Sequence, residues 1–535
     1  MAVRVRVESR SESLAAGAAL FLGACLALIA VTFRLNRAFY QDDAYIVLHY
    51  AQNILAGHGA VWNPGEYVQG YTSFLHLCAV TLLGRLGLDL AFASRALGVA
   101  AYAGLVAVLA SYLRESSPAS ESPLTWRIPF ALVAGSSPLV VWSLGGLETV
   151  PVALLVTSGC VLLLRAEGPA EIRLLAGSGA CFALGFLARP DASLFGAVAL
   201  LASLPEWRAR GRALRNALAF SLPIAGIAFP YVAWELWYYG DFVPNTFHAK
   251  LGGNVSFESL FRGARYLASY SLRPPFLPLL AVAALAVEWR AGRLRAPELR
   301  LAAMCAAYAG FVVFAGGDAM ASFRFAVPLV APLALVVFLC AQRWDERAVR
   351  WFSAAVLVLS FAQLGSARLN PRVEDGAAKF GSIVGRYIAR AWPPGSLVAL
   401  STAGSPPYFA SDLRYVDMLG LNDAVIGRRD VGEHRLAWQS QPGHMKGDGA
   451  YVLERRPDYI ILGGCPGTTA DQPLFLSDYE LAHDPRFARD YQLVRVLLSP
   501  KGREVARSGI PFTYYRRSTA APEPDAAAAP PADAR

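Results

Sequence analysis

Long apolar blocks separated by short polar islands fill the first two thirds of the chain, and the pattern changes near residue 366. The blocks cover residues 14–33, 72–88, 91–113, 128–142, 149–164, 174–204, 216–236, 274–288, 299–315, 325–341 and 349–364. Most run about 15 to 24 residues, near the roughly 20 that a helix needs to cross about 30 Å of hydrocarbon. The spacing predicts about eleven transmembrane helices. Block 174–204 carries Arg189, Pro190 and Asp191 at its middle, so it reads equally as one broken helix or two short ones, and 72–113 is as hard to divide. The first block follows Arg4, Arg6 and Arg10 and is long for the apolar core of a signal peptide, which predicts a retained span.

Beyond residue 366 charged residues become frequent, and β-type runs at 397–402 and 459–462 alternate with a helical pattern at 377–391 and with turns of glycine, proline and asparagine. The expected fold is therefore mostly α: a polytopic transmembrane helical bundle over 1–365 and a C-terminal soluble α/β domain over 366–517. Residues 518–535 are alanine, proline and aspartate, too poor in bulky apolar side chains to pack, and are expected to be a disordered tail.

Composition agrees with this pattern. Of 535 residues 55% are hydrophobic and 17% charged, and mean hydropathy is +0.38, which excludes a soluble enzyme on a single membrane anchor. A net charge of +9 would admit a nucleic-acid partner if it formed a patch. Instead Arg208, Arg210, Arg212 and Arg215 fill one short turn and Arg290, Arg293, Arg295 and Arg300 another, so these turns are expected to be cytoplasmic and nucleic acid is not a partner. An odd number of spans, with the N-terminus inside, puts the C-terminal domain outside with the Gln41-Asp42-Asp43 segment. Six of the seven cysteines lie in apolar blocks, which leaves no disulfide framework or cysteine metal site.

The first polar island carries the sharpest chemistry. Asp42 and Asp43 are adjacent carboxylates at a transmembrane helix mouth, followed by Gly57-His58-Gly59, Trp62-Asn63-Pro64-Gly65-Glu66 and Gly70-Tyr71-Thr72. Such a carboxylate can take a proton from an attacking hydroxyl, and the loop behind suits a sugar or a lipid headgroup; equally, two acids can simply complement a helix N-terminus. Further islands hold Glu148, Arg189 with Asp191, the stretch 241–250, and Asp318 with Arg324. If these share a side they converge on one cavity, with Arg189, Lys250 and Arg324 as phosphate-binding cations. Each island taken singly is also an ordinary capped loop. No histidine pair has zinc spacing. Asp42, Asp43 and Asp318 are of the type that holds a hard divalent cation. Gly463-Gly464 and Pro466-Gly467-Thr468 lack a nucleotide-loop pattern, so an enzyme here would draw an activated donor from the lipid phase.

The ordered set resembles polytopic glycosyltransferases of the GT-C class, and within it the family of the mycobacterial terminal arabinofuranosyltransferase. The residues that carry the resemblance are Asp42-Asp43, 57–66, Gly70-Tyr71-Thr72, Gly146-Leu147-Glu148-Thr149, Arg189-Pro190-Asp191, Tyr239-Gly240, Pro244-Asn245-Thr246 and Gly316-Gly317-Asp318 with Arg324-Phe325. It continues through 417–423, Gly443-His444 with Lys446, and 456–459, covering roughly residues 38–465. The resemblance implies a GT-C-like bundle in the inner (plasma) membrane, with its active site and C-terminal domain on the periplasmic or extracytoplasmic side. It implies transfer of a sugar, for instance a pentofuranose such as arabinose, from a polyprenyl-phosphate-linked donor to an envelope polysaccharide, glycolipid or protein. By motif position the base in the first outer loop, about 34–71, is Asp42 or Asp43. Arg189, Lys250 and Arg324 are implied as donor-phosphate contacts, and His58, Glu66, Tyr71, Glu148, Asp191, Asn245, His248 and Asp318 as sugar, acceptor or structural contacts.

Two other classes stand beside this one. A transporter or lipid flippase predicts charges deep in discontinuous helices and an internal repeat, whereas the islands sit mainly at block ends and no repeat is seen. A non-catalytic envelope or motor assembly protein predicts dispensable carboxylates.

Overall fold

The computed structural model describes residues 2–116, 124–251, 257–432 and 436–519. The expected tail falls almost wholly outside these residues. Every apolar block is helical, and seven helices are long and apolar enough to cross a membrane, or eight if Arg127–Ala134 and Ser137–Leu144 form one bent span. Others, such as Phe74–Arg85 and Thr149–Leu164, are apolar but shorter. The pattern predicts about eleven spans because hydropathy counts every apolar block, including those whose helix ends at a polar island before full length. The chain is a multi-pass membrane protein.

Block 174–204 divides into Glu171–Ala188 and Ser193–Ala209, joined by a tight turn at Pro190–Ala192. The break follows from Pro190, which disfavours helical backbone at the residue before it; Arg189 is extended, with φ −157° and ψ 127°. The long helices keep Leu20, Leu201, Leu222, Phe229 and Trp289 exposed, as side chains facing lipid do.

The two arginine-rich turns lie at one end of the bundle. Arg300 pairs with Glu206, Arg212 and Arg215 pair with Glu171, and Glu288 accepts from Arg293 and Arg343. The polar islands gather at the opposite end, where the C-terminal region sits on them.

That region contains a five-stranded mixed sheet of β1 (Leu397–Leu400), β2 (Arg414–Asp417), β3 (Tyr459–Ile461), β4 (Tyr491–Leu498) and β5 (Ile510–Arg517), in the order β2-β1-β3-β5-β4. β1 runs parallel to β2 and β3, and β5 antiparallel to β3 and β4. The short parallel strands are buried, as such strands must be. Helix Gly376–Ala391 presents buried Ile383, Val384, Tyr387 and Ile388, and is capped by Asp375, which accepts from the N–H groups of Ala377 and Ala378. Trp392 stacks on Tyr459 at 3.8 Å.

Side-chain amides fasten this region to the membrane part. Asn63 donates to the Tyr415 carbonyl at 2.7 Å and accepts from the Tyr415 N–H at 3.0 Å. Asn245 donates toward the carbonyls of Gly420, Leu421 and Asp423 at 2.8 to 3.1 Å. At Gly70 a Cβ would collide with the Asn422 side chain, so only glycine lets the loop that carries it come this close.

Candidate active site

Between the bundle and the sheet region lies a cavity of about 1130 Å³, large for a small-molecule site. Helix Asp42–Leu55 projects its first turn into it, so Asp42 and Asp43 both line the wall. They do different things. Asp42 is buried and accepts from Gly404 N–H at 3.2 Å, Ser405 N–H at 2.9 Å and Ser405 Oγ at 2.6 Å. A Cβ on Gly404 would collide with Asp42. Burial pushes the Asp42 carboxyl up to about 7, against the pull of the Ser405 bonds. Asp43 is half-buried and its carboxylate takes no hydrogen bond or ion pair among the described residues.

The expected phosphate ligands also reach the cavity, in two states. Arg189 is buried and holds Asp191 through a two-pronged contact, Nε to Oδ1 at 2.9 Å and Nη2 to Oδ2 at 3.0 Å, with Glu148 3.7 Å from Nη1. Arg324 pairs with Asp318 at 2.8 Å. Both guanidinium groups lie over the ring of Phe325, at 4.8 and 5.2 Å. Lys250, in helix Asn245–Leu251, makes no ion pair or hydrogen bond among the described residues. Burial lowers its ammonium pKa, with Asp43 the largest opposing influence.

Tyr71 meets Tyr239, hydroxyl to hydroxyl, at 3.0 Å, and Asp191 also accepts from Tyr308 at 2.8 Å. Thus Asp42, Asp43, Tyr71, Glu148, Arg189, Asp191, Lys250, Asp318 and Arg324 all line this one cavity. Four others lie off it. His58 is exposed, Glu66 pairs with Arg455 at 2.8 Å, Asn245 holds the carbonyls named above, and His248 contacts Asp241 at 3.1 Å. Asp42, Asp43 and Asp318 do not combine into a cluster of metal-ligating side chains, and no such cluster forms among the described residues.

Sequence reasoning did not select Glu235, Thr246, Glu374, Asp375 or Phe475, all of which line the cavity. The sequence signal for Glu235 is its position as a lone carboxylate within an apolar block. From the sheet region, Ser401, Thr402 and His444 complete the roof; His444 stacks on Phe475 at 5.5 Å, and burial lowers its imidazole pKa.

This fold has a solved counterpart. ArnT from Cupriavidus metallidurans, determined bound to undecaprenyl phosphate, superposes with a TM-score of 0.55 over 78% of this chain and 89% of that one, at 14% identity. In sequence, terminal beta-(1->2)-arabinofuranosyltransferase of Corynebacterium glutamicum is 28% identical over 375 residues, 61% of this chain and 51% of the relative. The Mycobacterium tuberculosis protein of the same name is 28% identical over 285 residues, 50% of this chain and 43% of the relative. The chain has the GT-C fold and is related to these arabinofuranosyltransferases. It spans about half the length of the curated relatives it matches. Residues 372–515, which include the five-stranded sheet, match a domain of unknown function (DUF8728).

Proposed function

We propose that the protein is a membrane glycosyltransferase that moves a sugar from a polyprenyl-phosphate donor to a hydroxyl of an envelope glycan, glycolipid or protein. Residues 1–365 form the catalytic membrane unit, and 366–517 an extracytoplasmic domain that roofs the site. The observation that carries this reading is the presence, in one cavity at the end of the bundle opposite the arginine-rich turns, of a carboxylate, Asp43, and a cation, Lys250, neither of which makes a hydrogen bond or ion pair among the described residues. The relatives' names and the lipid in the ArnT structure point the same way, with a pentofuranose such as arabinose as the first sugar to test.

Asp43 is the base. The acceptor oxygen attacks the anomeric carbon, its proton passes to the Asp43 carboxylate, and the bond from that carbon to the phosphate oxygen breaks. Polyprenyl phosphate leaves with the electron pair, and its growing charge is met by the Lys250 ammonium and by the Arg189 and Arg324 guanidinium groups in a poorly hydrated site. One displacement without a covalent sugar–enzyme intermediate inverts the anomeric centre. Asp42, already holding three donors, is a positioning residue for its neighbour.

The test is purified protein in lipid, offered polyprenyl-phosphate sugars with an envelope extract as acceptor. Release of polyprenyl phosphate and a product of inverted anomeric configuration are expected. No release from any donor by intact protein, or retention of configuration, would overturn the reading.

A further inference from the structure

Two polar side chains in the cavity have unused hydrogen-bonding capacity that the chemistry above does not employ. Thr246 is buried and lines the cavity, and its Oγ1 has no hydrogen-bond partner among the described residues. Glu235 is also buried and lines it. The Glu235 Oε1 accepts from Tyr231 Oη and from Gln69 Nε2, the latter at 2.8 Å, while Oε2 takes no hydrogen bond among the described residues. An ionisable group in an apolar helix, here Ala213–Tyr239, is costly and marks a functional position unless it is paired. No cation pairs with Glu235 among the described residues.

Gln69 holds the two side chains in register. Its side-chain amide contacts Glu235, and its backbone carbonyl accepts the Asn245 N–H at 2.9 Å, one residue before Thr246. On helix Asn245–Leu251, Thr246 and Lys250 are four residues apart, so they share a face, and both line the cavity. That separation is ~6 Å along the axis, the scale of a single monosaccharide.

We propose that Thr246 and Glu235 bind ring hydroxyls of the sugar carried by the donor lipid, beside the phosphate site at Lys250. This rests on the donor reading above and adds a recognition set for the sugar. A hydroxyl can donate to the free Glu235 Oε2 while another exchanges a hydrogen bond with Thr246 Oγ1. Sites built to hydrogen-bond a substrate hydroxyl reject analogues that lack it, because their own polar groups are then left buried and unpaired. The subsite therefore selects a hydroxylated sugar and disfavours a deoxy analogue.

The experiment measures affinity of the full chain in lipid nanodiscs for polyprenyl-phosphate arabinofuranose, its 2-deoxy and 3-deoxy analogues, and bare polyprenyl phosphate. Wild type is expected to bind at least one deoxy analogue about tenfold more weakly than the parent, the effect of about one hydrogen bond. Thr246→Val and Glu235→Gln should each weaken binding of the parent about tenfold and each abolish discrimination against one deoxy position, while leaving affinity for bare polyprenyl phosphate unchanged. Wild type that binds parent and deoxy lipids equally, or bare lipid but not the arabinose lipid, would overturn the subsite alone. Equal losses for sugar-bearing and bare lipid in the variants would reduce both residues to structural ones. Wild type that binds none of the four lipids would instead defeat the donor reading, and the subsite with it.

Discussion

Asp42 and Ser405 are 363 positions apart, yet the Ser405 hydroxyl donates to Asp42 Oδ1 at 2.6 Å and its N–H to the same oxygen at 2.9 Å. This contact fixes the first turn of helix Asp42–Leu55 to the sheet region, while the next side chain, Asp43, lines the cavity with no hydrogen bond or ion pair among the described residues. The proposed mechanism gives the adjacent carboxylates separate work, Asp42 holding and Asp43 reacting.

The division predicts unequal substitutions. Asp43→Asn should fold as wild type and release polyprenyl phosphate at least about 100-fold more slowly, the size of a lost general base. Asp42→Ala leaves the Gly404 and Ser405 donors buried, so it should lower stability by about 1–3 kcal/mol while keeping more activity per folded molecule than Asp43→Asn. Thermal melting and donor turnover on both variants check this, and full activity in Asp43→Asn would remove it from the mechanism.

Asp42 also predicts a pH signature. Its folded carboxyl is raised from 3.8 to about 7, so the folded protein binds this proton more tightly than the unfolded chain. Stability contributed by that proton is present at low pH and is lost as pH rises through the window from 3.8 to about 7, at up to about 1.4 kcal/mol per pH unit. Burial raises Asp375, Asp417 and Asp478 in the same sense, so the measurement is a difference. The fall in apparent melting temperature between pH 5 and pH 7.5 should be smaller in Asp42→Asn than in wild type, and identical slopes would show that Asp42 is not the titrating group.

Much of this architecture can be read in the chain because the bilayer imposes it. Apolar blocks follow from local residues and predict the helical bundle, and Arg189, Pro190 and Asp191 mark where block 174–204 is interrupted, though not whether it forms one broken helix or two. The separation of Asp42 from Asp43 could not be read, because it depends on Ser405, hundreds of residues away. Asn245 and Glu66 sit in motifs as polar as those of Tyr71 and Asp191, and only the folded chain turns their side chains toward the outer region instead of the cavity. Thr246 is hidden for the converse reason, since a threonine beside an asparagine in a loop-like motif carries no period or charge to single it out.

Arg189 and Lys250 should separate in mutant kinetics. Arg189 serves Asp191 and stacks on Phe325, contacts that need a planar fork, so Arg189→Lys should lower both melting temperature and turnover. Lys250 makes no hydrogen bond or ion pair among the described residues, so Lys250→Met should melt as wild type while kcat/KM for the donor falls about tenfold or more, the worth of one charge-assisted contact. A Lys250→Met enzyme with kcat/KM within about twofold of wild type would take the phosphate contact away from this residue.

Asn245 decides between two roles for one buried amide. As a sugar contact, its loss would weaken donor binding and leave the protein equally compact. As the structure has it, its Nδ2 reaches three carbonyls of the segment Gly420–Asp423, and Asn245→Ala would leave those acceptors buried at a cost of about 1–3 kcal/mol. The segment leads directly to Arg428 and Arg429, where Arg428 pairs with Asp241 and Arg429 with Glu480. Loosening it should therefore expose these arginines to trypsin. The expected result is faster cleavage at Arg428 or Arg429 in Asn245→Ala, with affinity for bare polyprenyl phosphate little changed; unchanged proteolysis with weakened binding of the sugar-bearing lipid would return Asn245 to the substrate.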